Sequence, residues 1–387
     1  MIQGIYLDNS MAARPSDRAV SQMLPFLTDM WGSPSSPHLK GQELFPAITE
    51  SYKAIYALLG AKESDDFILT SCGAEGINQV ILSCFYNVTR ISGKNQLVTS
   101  HIDEAPAIMA MGRLETMGCV CKMAEAAPSG MITAQAIADT ITPRTALISL
   151  SWANALTGVI NPVAEIARIC KERGILFHLD ATHVLGKLFF DLEEVGADYI
   201  TFNGDQLHAP KGTGGLYIKA GVKCAPLILG GSEQAGYRGG SLNVPGLVAL
   251  GAAAQEALES RDFVCTEIAR LRDKLENGVV EAYPEASTYF QEQDRLPNCT
   301  ILTFPGIANE ALLYALNRKK VFASIGGGSL QQAGLILKAC GINETLAQTA
   351  LSFSLSRETT EEEIDNAIEI IADAAKRLSK LRISESN

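Results

Sequence analysis

The sequence predicts an α/β protein: a mainly parallel sheet covered by helices, followed by a smaller α+β region. Two observations carry this prediction. From about residue 50 to about residue 220, short apolar runs rich in β-branched residues alternate with amphipathic helical patterns. After about residue 245 the chain changes to long helical stretches with a single new strand-like run. Alternation of strands and helices is typical of a parallel sheet with helices on both faces.

Six runs are predicted as buried strands because both alternations of each run are largely apolar, as expected where helices cover both faces of a sheet. A helix is predicted between two of them, over 162–174, because Val163, Ile166, Ile169 and Cys170 share one face and Gly174 supplies a stop. The six strand-like runs are 66–71, 96–100, 145–152, 174–181, 197–204 and 214–220.

The later part of the chain predicts a second unit. Residues 246–280 read as one or two long helices, 298–306 as a strand and 359–381 as a terminal helix. The terminal helix starts with Thr360 and Glu363, which have the spacing of a capping box.

We therefore expect a large domain over 13–255 and a small domain formed by 1–12 together with 256–387. At 387 residues the chain is long enough for two domains.

Composition excludes several classes of function. The net charge is −11 and no block of Lys or Arg stands out, which argues against a nucleic acid or an anionic membrane as the main partner. The nine cysteines are scattered without a CxxC pair, and the histidines do not join them at metal-ligand spacing. No secretory signal and no apolar run of membrane-spanning length is found, so a cytoplasmic location is expected.

Polar residues follow two predicted strands, at the edge where α/β proteins bind ligands. Asp180 and His183 follow the fourth strand-like run, and an Asp there can pair with a protonated pyridine nitrogen. Its alternative role is a helix N-cap or a hydrogen-bonded turn residue. The turn 70–78, "TSCGAEGIN", leads from a strand into a helix, and its backbone N–H groups could cradle a phosphate.

Taken together, the motifs resemble the cysteine desulfurases of the class V aminotransferase group, which are pyridoxal-phosphate enzymes that supply sulfur for iron–sulfur clusters. The resemblance runs from end to end and implies a fold-type-I homodimer with both active sites near the subunit interface. The matching stretches, in order, are "YLDNS", "GSPSSPHLKG", "LTSCGAEGIN", "SWANALTGVINPV", "FHLDATHVLGK", "HAPKGTGGLYIK", "LGGSEQAGYRGGSLNV" and "SFSLSRETTEEEID".

The resemblance also exposes replaced residues. The family attaches its cofactor through a Lys, usually preceded by His, and this chain has Gln206 preceded by Asp205. A carboxamide is not an amine nucleophile, so Gln206 cannot form the Schiff base. The His that stacks on the cofactor ring corresponds to Glu104. A carboxylate does not stack as imidazole does and would repel a phosphorylated cofactor.

Other cofactor positions are partly kept. The Thr of the phosphate turn becomes Ala74, and the second Asn of an Asn-Asn-Glu motif becomes Ala155. His183 takes the place of a ring-contacting Gln, Asn203 that of a phosphate-binding Ser, and Ser241 could retain the hydroxyl lent by the partner subunit. The positions that the resemblance assigns to the cofactor are Gly73, Ala74, Asn154, Ala155, Asp180, His183, Asn203, Asp205, Gln206 and Ser241.

Two substrate positions also change. The family's persulfide-carrying Cys lies on a mobile loop, whereas 322–334 contains no Cys and Ser329 is the nearest candidate. The Arg that clamps the substrate carboxylate corresponds to Ser352, which removes a bidentate anchor. Arg357 matches a separate Arg of the family.

Three hypotheses follow. The first is a desulfurase-like homodimer without the parent activity, with no covalently bound cofactor, acting as a scaffold, regulator or partner-binding protein in sulfur transfer or iron–sulfur cluster assembly. The second is an enzyme of altered chemistry that holds pyridoxal phosphate without a covalent bond through Asp180, His183 and Asn203, or that uses Lys211 as its amine. The third is a sensor of a small anion or metabolite that uses the remaining pocket.

Overall fold

A central sheet of seven strands organises the molecule, which the computed structural model describes over residues 3–327 and 330–385. In chain order the strands are β1 (Ile5–Tyr6), β2 (Asp66–Thr70), β3 (Gln96–Ser100), β4 (Val120–Ala124), β5 (Thr145–Ser151), β6 (Leu176–Asp180), β7 (Tyr199–Asn203), β8 (Gly214–Ile218), β9 (Ser287–Thr288), β10 (Cys299–Thr303), β11 (Val321–Phe322), β12 (Gly326–Gly327), β13 (Gln331–Gln332) and β14 (Ala350–Ser354). The central order is β2-β8-β7-β6-β5-β3-β4.

The central sheet confirms the predicted α/β class. Strands β4, β3, β5, β6 and β7 run parallel, and only β8 is antiparallel to its neighbours β7 and β2. All six predicted strands form, each within its predicted run. The sequence did not predict β4, because this edge strand is half-exposed and Val120 lies open to solvent, so it lacks the continuous apolar pattern of a buried strand.

Helices cover both faces of the sheet. A hydrophobic core lies on each face, between the sheet and the helices that cover it. The helices are α1 (Asp17–Met23), α2 (Pro25–Thr28), α3 (Leu39–Gln42), α4 (Phe45–Leu59), α5 (Gly73–Cys84), α6 (Arg90–Ser92), α7 (Ala105–Glu115), α8 (Ala134–Thr140), α9 (Val163–Arg173), α10 (Leu192–Val195), α11 (Val244–Phe263), α12 (Ala269–Ala282), α13 (Asn309–Arg318), α14 (Ala333–Ala339), α15 (Glu344–Ala347) and α16 (Glu361–Glu385).

Two predicted helix ends are confirmed in atomic detail. Helix α9 stops at Gly174, whose φ of 60° is left-handed and whose N–H reaches back to the carbonyl groups of the last turn. Helix α16 begins with the predicted capping box: the Glu363 N–H donates to Thr360 Oγ1 at 3.2 Å, and the Thr360 N–H donates to Glu363 Oε2 at 2.9 Å.

A separate antiparallel sheet, β14-β10-β9, lies in the C-terminal part and packs against α12, α13 and α16. A third hydrophobic core forms there, and it includes Leu7 from the N-terminal segment. Strand β1 pairs with β11, so the first residues dock on this part as expected. The proposed boundary between 255 and 256 falls inside α11, and the division into two domains stays a prediction.

Helices α11 and α12 follow one another through a short π-helical segment over 264–268. Residues 246–280 therefore form two helices joined without a loop. No helix in 3–327 or 330–385 combines the length and apolar composition that crossing a bilayer needs.

Candidate active site

Polar side chains from four elements meet at the carboxyl edge of the central sheet. Asp180 is the last residue of β6 and Asn203 the last of β7. Gly73 opens α5, and Glu104 directly precedes α7. Parallel strands end at one edge, which is why residues distant in sequence gather there and why this edge is where α/β proteins bind ligands.

Asp180 is buried and held by its own turn. Its Oδ1 accepts hydrogen bonds from the Thr182 N–H at 2.9 Å and from the Thr182 hydroxyl at 2.5 Å. Burial, followed by repulsion from Glu104, raises the pKa of Asp180 to about 6, although the Thr182 bonds and His183 act in the opposite direction. The turn-residue interpretation of Asp180 is therefore realised in the structure.

Thr182 links Asp180 to the phosphate turn expected from the sequence. Its hydroxyl oxygen accepts from the Asn203 N–H at 3.2 Å. The Asn203 side chain in turn accepts, through Oδ1, from the Gly73 N–H at 2.7 Å. One of the N–H groups at the start of α5 is thus bound by a protein acceptor instead of being offered to an anion.

The same turn carries a second internal acceptor. Glu75 accepts from the Ser71 N–H at 2.8 Å and pairs with the Arg238 guanidinium at 3.0 Å. Burial raises the pKa of Glu75, but the bonds from Ser71 and Arg238 outweigh it and hold the pKa below its usual value.

Glu104 contacts His183 and Gln331. Its Oε1 lies 3.7 Å from His183 Nε2, and its Oε2 accepts from the Gln331 side chain. The Glu104 side chain is 20% exposed and that of His183 is 9% exposed. Burial raises the pKa of Glu104, but His183 and Gln331 together lower it below its usual value, so an ionised carboxylate stands at the expected ring-stacking position.

Gln206 is buried on a short 3₁₀ turn, Gly204–Leu207, that follows β7. Its side-chain N–H donates to the Ser10 carbonyl at 3.1 Å, so the carboxamide is bound to the N-terminal segment. The neighbouring Asp205 pairs with the Lys211 ammonium at 2.9 Å, and the Lys211 side chain is 68% exposed. The lysine considered as an alternative amine is thus directed to a surface carboxylate.

Three residues expected near the substrate and the cofactor ring are buried. Ser352, in β14, donates its hydroxyl to the Leu156 carbonyl at 2.8 Å and is 1% exposed. Asn154 is buried, and its Oδ1 accepts from the N–H groups of Leu156 and Thr157 at 3.0 Å each. Ala155 is buried between them. The Ser352 hydroxyl and the Asn154 carboxamide are therefore both bound within the loop 154–157.

Two predicted site residues remain apart from this arrangement. Ser241 is exposed, consistent with a position that would act on a neighbouring subunit. Ser329 lies outside the described residues. Of the residues predicted for the site, Glu104 and His183 meet directly, Asp180 and Asn203 are joined through Thr182, and Asn203 joins Gly73.

The sequence did not single out three participants. Gln331 contacts Glu104 across 227 positions of the chain, and Thr182 looked like an ordinary residue of the turn. Asp103 is buried and binds the ends of β3 and β5, with Oδ2 accepting from Ser100 N at 2.8 Å and Oδ1 from Ser151 N at 2.5 Å. The only available signal was the position of Thr182 and Asp103 just past strands.

The geometry does not fit a covalently attached pyridoxal phosphate. Position 206 offers no amine, position 104 offers an anion, and the Gly73 N–H of the phosphate turn is already bound by Asn203. Within the described part of the chain, no group of three His, Cys, Asp or Glu side chains is placed to hold a metal ion. The arrangement can exchange protons and bind donors through Asp180, Glu104 and His183.

Comparison with known proteins shows which family and which proteins this chain is similar to. The sequence model of the class V aminotransferases matches residues 5–367. A cysteine desulfurase of Trichormus azollae is 35% identical over 381 residues, which cover 97% of this chain and 94% of that protein. The cysteine desulfurase NifS of Azotobacter vinelandii is 36% identical over 369 residues, covering 94% and 90%. A solved structure titled NifS-like protein superposes with a TM-score of 0.90 at 30% identity, covering 97% and 100%.

Proposed function

The chain belongs to the class V aminotransferase family and is similar to its cysteine desulfurases along nearly its whole length, and from that premise we propose that it has lost the pyridoxal-phosphate-dependent desulfurase reaction. It acts instead as a homodimeric scaffold, regulatory or partner-binding protein in sulfur transfer or iron–sulfur cluster assembly. The observation that carries the proposal is Gln206: a buried carboxamide, hydrogen-bonded to Ser10, at the position of the Schiff-base lysine.

The other replaced residues around Gln206 support loss of the reaction and argue against an isolated substitution at position 206. Glu104 presents a carboxylate where the family presents a stacking imidazole, and it is fixed by His183 and Gln331. Ser352 uses its hydroxyl to bind the Leu156 carbonyl and cannot clamp a substrate carboxylate as Arg does. Each change affects a different requirement of the parent chemistry, so restoring one would leave the others unmet.

The retained fold supports a role that depends on shape. The central sheet keeps its strand order, and the three hydrophobic cores are closed. Large apolar side chains remain exposed in the described part of the chain, among them Trp31, Leu39 and Leu229 at 68%, 82% and 82%.

The chemistry is tested by adding pyridoxal phosphate to the purified full chain, recording the absorption spectrum, reducing with borohydride and searching for a lysine adduct by mass spectrometry. An active cysteine desulfurase serves as positive control, and alanine release from cysteine is measured in parallel. We expect no imine absorption, no adduct and no alanine. A reducible lysine adduct or desulfuration of cysteine would overturn the proposal.

Noncovalent binding of the cofactor is tested with the variant Asp180→Ala. If Asp180 holds pyridoxal phosphate, wild type should show a saturable spectral response that the variant lacks. We expect the same negligible response from both proteins. A saturable response confined to wild type would favour an enzyme of altered chemistry.

The association is tested separately. Sedimentation should give twice the chain mass of 41.4 kDa. Titration with an active desulfurase and with a cluster-assembly scaffold protein, each of known sequence, should show saturable binding to at least one of them. A monomer that binds neither would contradict the scaffold role while leaving the loss of catalysis intact.

A further inference from the structure

A small cavity lies behind Gln206, where the N-terminal segment and both major parts of the chain meet. Its volume is about 30 Å³, which is enough for about two water molecules. Asn9 contributes from the N-terminal segment, Lys187 and Gln206 from the region around the central sheet, and Asn298 and Arg357 from the C-terminal part. Gln206 is shared with the site described above, whereas Lys187, Asn298 and Arg357 are not part of it.

Lys187 brings an unpaired amine to this cavity. Its Nζ is shielded from solvent and has no hydrogen-bond partner. The Asn298 Oδ1, on the opposite part of the chain, is also buried and without a partner. Burial lowers the pKa of Lys187 to about 8, which leaves the amine mostly protonated at neutral pH. A buried cation without a counter-ion is costly, so the cavity should contain something that compensates it.

The nearby carboxylates are already paired with other bases. Asp205 binds Lys211 at 2.9 Å, and Glu256 binds Arg357 at 3.0 Å. Neither carboxylate lies within ion-pair distance of Lys187. Asp205 favours the charged form of Lys187 from a longer distance but does not pair with it directly.

A neighbouring histidine is affected by the same positive charges. His208 lines the cavity, and its pKa is lowered to about 4 by burial and then by Arg357, with Lys187 adding to the effect. Cys299 cannot supply the missing negative charge, because burial raises the pKa of its thiol to about 11. A small anion would neutralise the ammonium, and one bridging water would complete the bonding of Asn298.

We propose that this cavity is a binding site for a small inorganic anion, chloride, held by the Lys187 ammonium between the N-terminal segment, the central-sheet region and the C-terminal part. The volume excludes larger organic anions. Because the cavity joins three parts of the chain, occupancy should stabilise their docking, whatever the outcome for the proposed loss of catalysis.

The site is tested directly by diffraction from crystals of the full chain in which bromide replaces chloride. An anomalous peak in the cavity next to Lys187 is expected in wild type and should be absent in Lys187→Met. Water alone in the wild-type cavity, or a bromide peak that persists in the variant, would overturn the proposal. The wild-type crystal decides the question even if the variant does not fold.

Solution binding is tested by thermal unfolding at constant ionic strength, with chloride replacing gluconate. For a dissociation constant of about 10 mM, raising chloride from about 1 mM to about 200 mM should raise the Tm of wild type by about 2 °C. Lys53→Met, which removes an exposed lysine, should respond like wild type, and Lys187→Met should not respond. A flat response in wild type, or equal responses in all three proteins, contradicts a chloride site.

Discussion

Single side chains decide the chemistry at the carboxyl edge of the sheet. Gln206 presents a carboxamide where the resemblance predicts an amine, and its bond to the Ser10 carbonyl gives it a structural partner. The Glu104 carboxylate likewise has structural partners, since it contacts His183 and Gln331. Both side chains are therefore bound within the fold.

Gln206→Lys should restore an amine without restoring desulfuration. We expect pyridoxal phosphate followed by borohydride to label position 206 in the variant and no lysine in wild type. Neither protein should release alanine from cysteine, because Glu104 and Ser352 still lack the stacking and clamping groups. Mass spectrometry locates the label. Desulfuration by the variant at rates typical of the family would show that position 206 alone had suppressed the activity.

Asp180→Asn should stabilise the protein at neutral pH. The pKa of Asp180 rises from 3.8 to about 6 on folding, so folding favours the protonated acid. As the pH rises from about 4 to about 6, ionisation of Asp180 lowers the free energy of unfolding of the wild-type protein. Above that range no further loss occurs. The variant should exceed wild type by about 2–3 kcal/mol at pH 7 and match it near pH 4.

This pH dependence is measured by urea unfolding across that range. Glu63→Gln, a change at an exposed position, should show no such difference from wild type. A variant less stable than wild type at pH 7 would mean that Thr182 stabilises the ionised Asp180 more than burial and Glu104 disfavour it.

At the scale of elements, the residues at which a helix begins and ends can be predicted from short stretches of sequence. The stop at Gly174 and the capping box of α16 both form where the sequence predicts them, because each depends on residues no more than four positions apart. The edge strand β4 was missed because its exposed side chains weaken the apolar pattern on which strand prediction depends.

The same substitution should have opposite effects at two glycines. Gly174→Ala places a Cβ in a left-handed conformation and should cost about 1 kcal/mol, although no atom lies within 4 Å of the added group. Gly112→Ala, inside α7 and equally free of contacts, should stabilise by about 0.5–1 kcal/mol because Ala favours helix. Urea unfolding of both variants measures this. Equal signs would show that backbone conformation does not control these positions.

At the scale of the whole molecule, a buried ion pair of the C-terminal part lies beside the contact of that part with the loop after β5. Glu276 of α12 contacts Arg295 at 2.6 Å, and the two side chains are 2% and 4% exposed. The chain around Arg295 is hydrogen-bonded to 158–160, with Leu296 N donating to the Gly158 carbonyl at 2.7 Å. This pair therefore sits where two parts of the chain are held together.

Glu276→Gln should destabilise the protein by about 3–5 kcal/mol, since it leaves the buried Arg295 charge without its carboxylate. The double variant Glu276→Leu with Arg295→Met should lose less, because it removes both charges together. Free energies of unfolding in urea give the comparison. A double variant less stable than the single one would show that the ion pair itself, beyond the avoidance of an unpaired charge, maintains the contact.

The sequence by itself determined the α/β class, the positions of six central strands, the family and the absence of an amine at position 206. These properties depend on residue identity, on periodicity within an element and on motifs in a fixed order. They can be obtained without knowing which distant residues touch, and that is why they agree with the structure.

Only the tertiary structure decided what the replaced residues contact. Gln331 reaches Glu104 across 227 positions, and Ser352 reaches Leu156 across 196. It also decided that Lys187, which the sequence shows only as part of a family motif, is buried without a counter-ion. Packing brings such groups together, and burial then sets their charge and bonding, so no local pattern in the sequence contains this information.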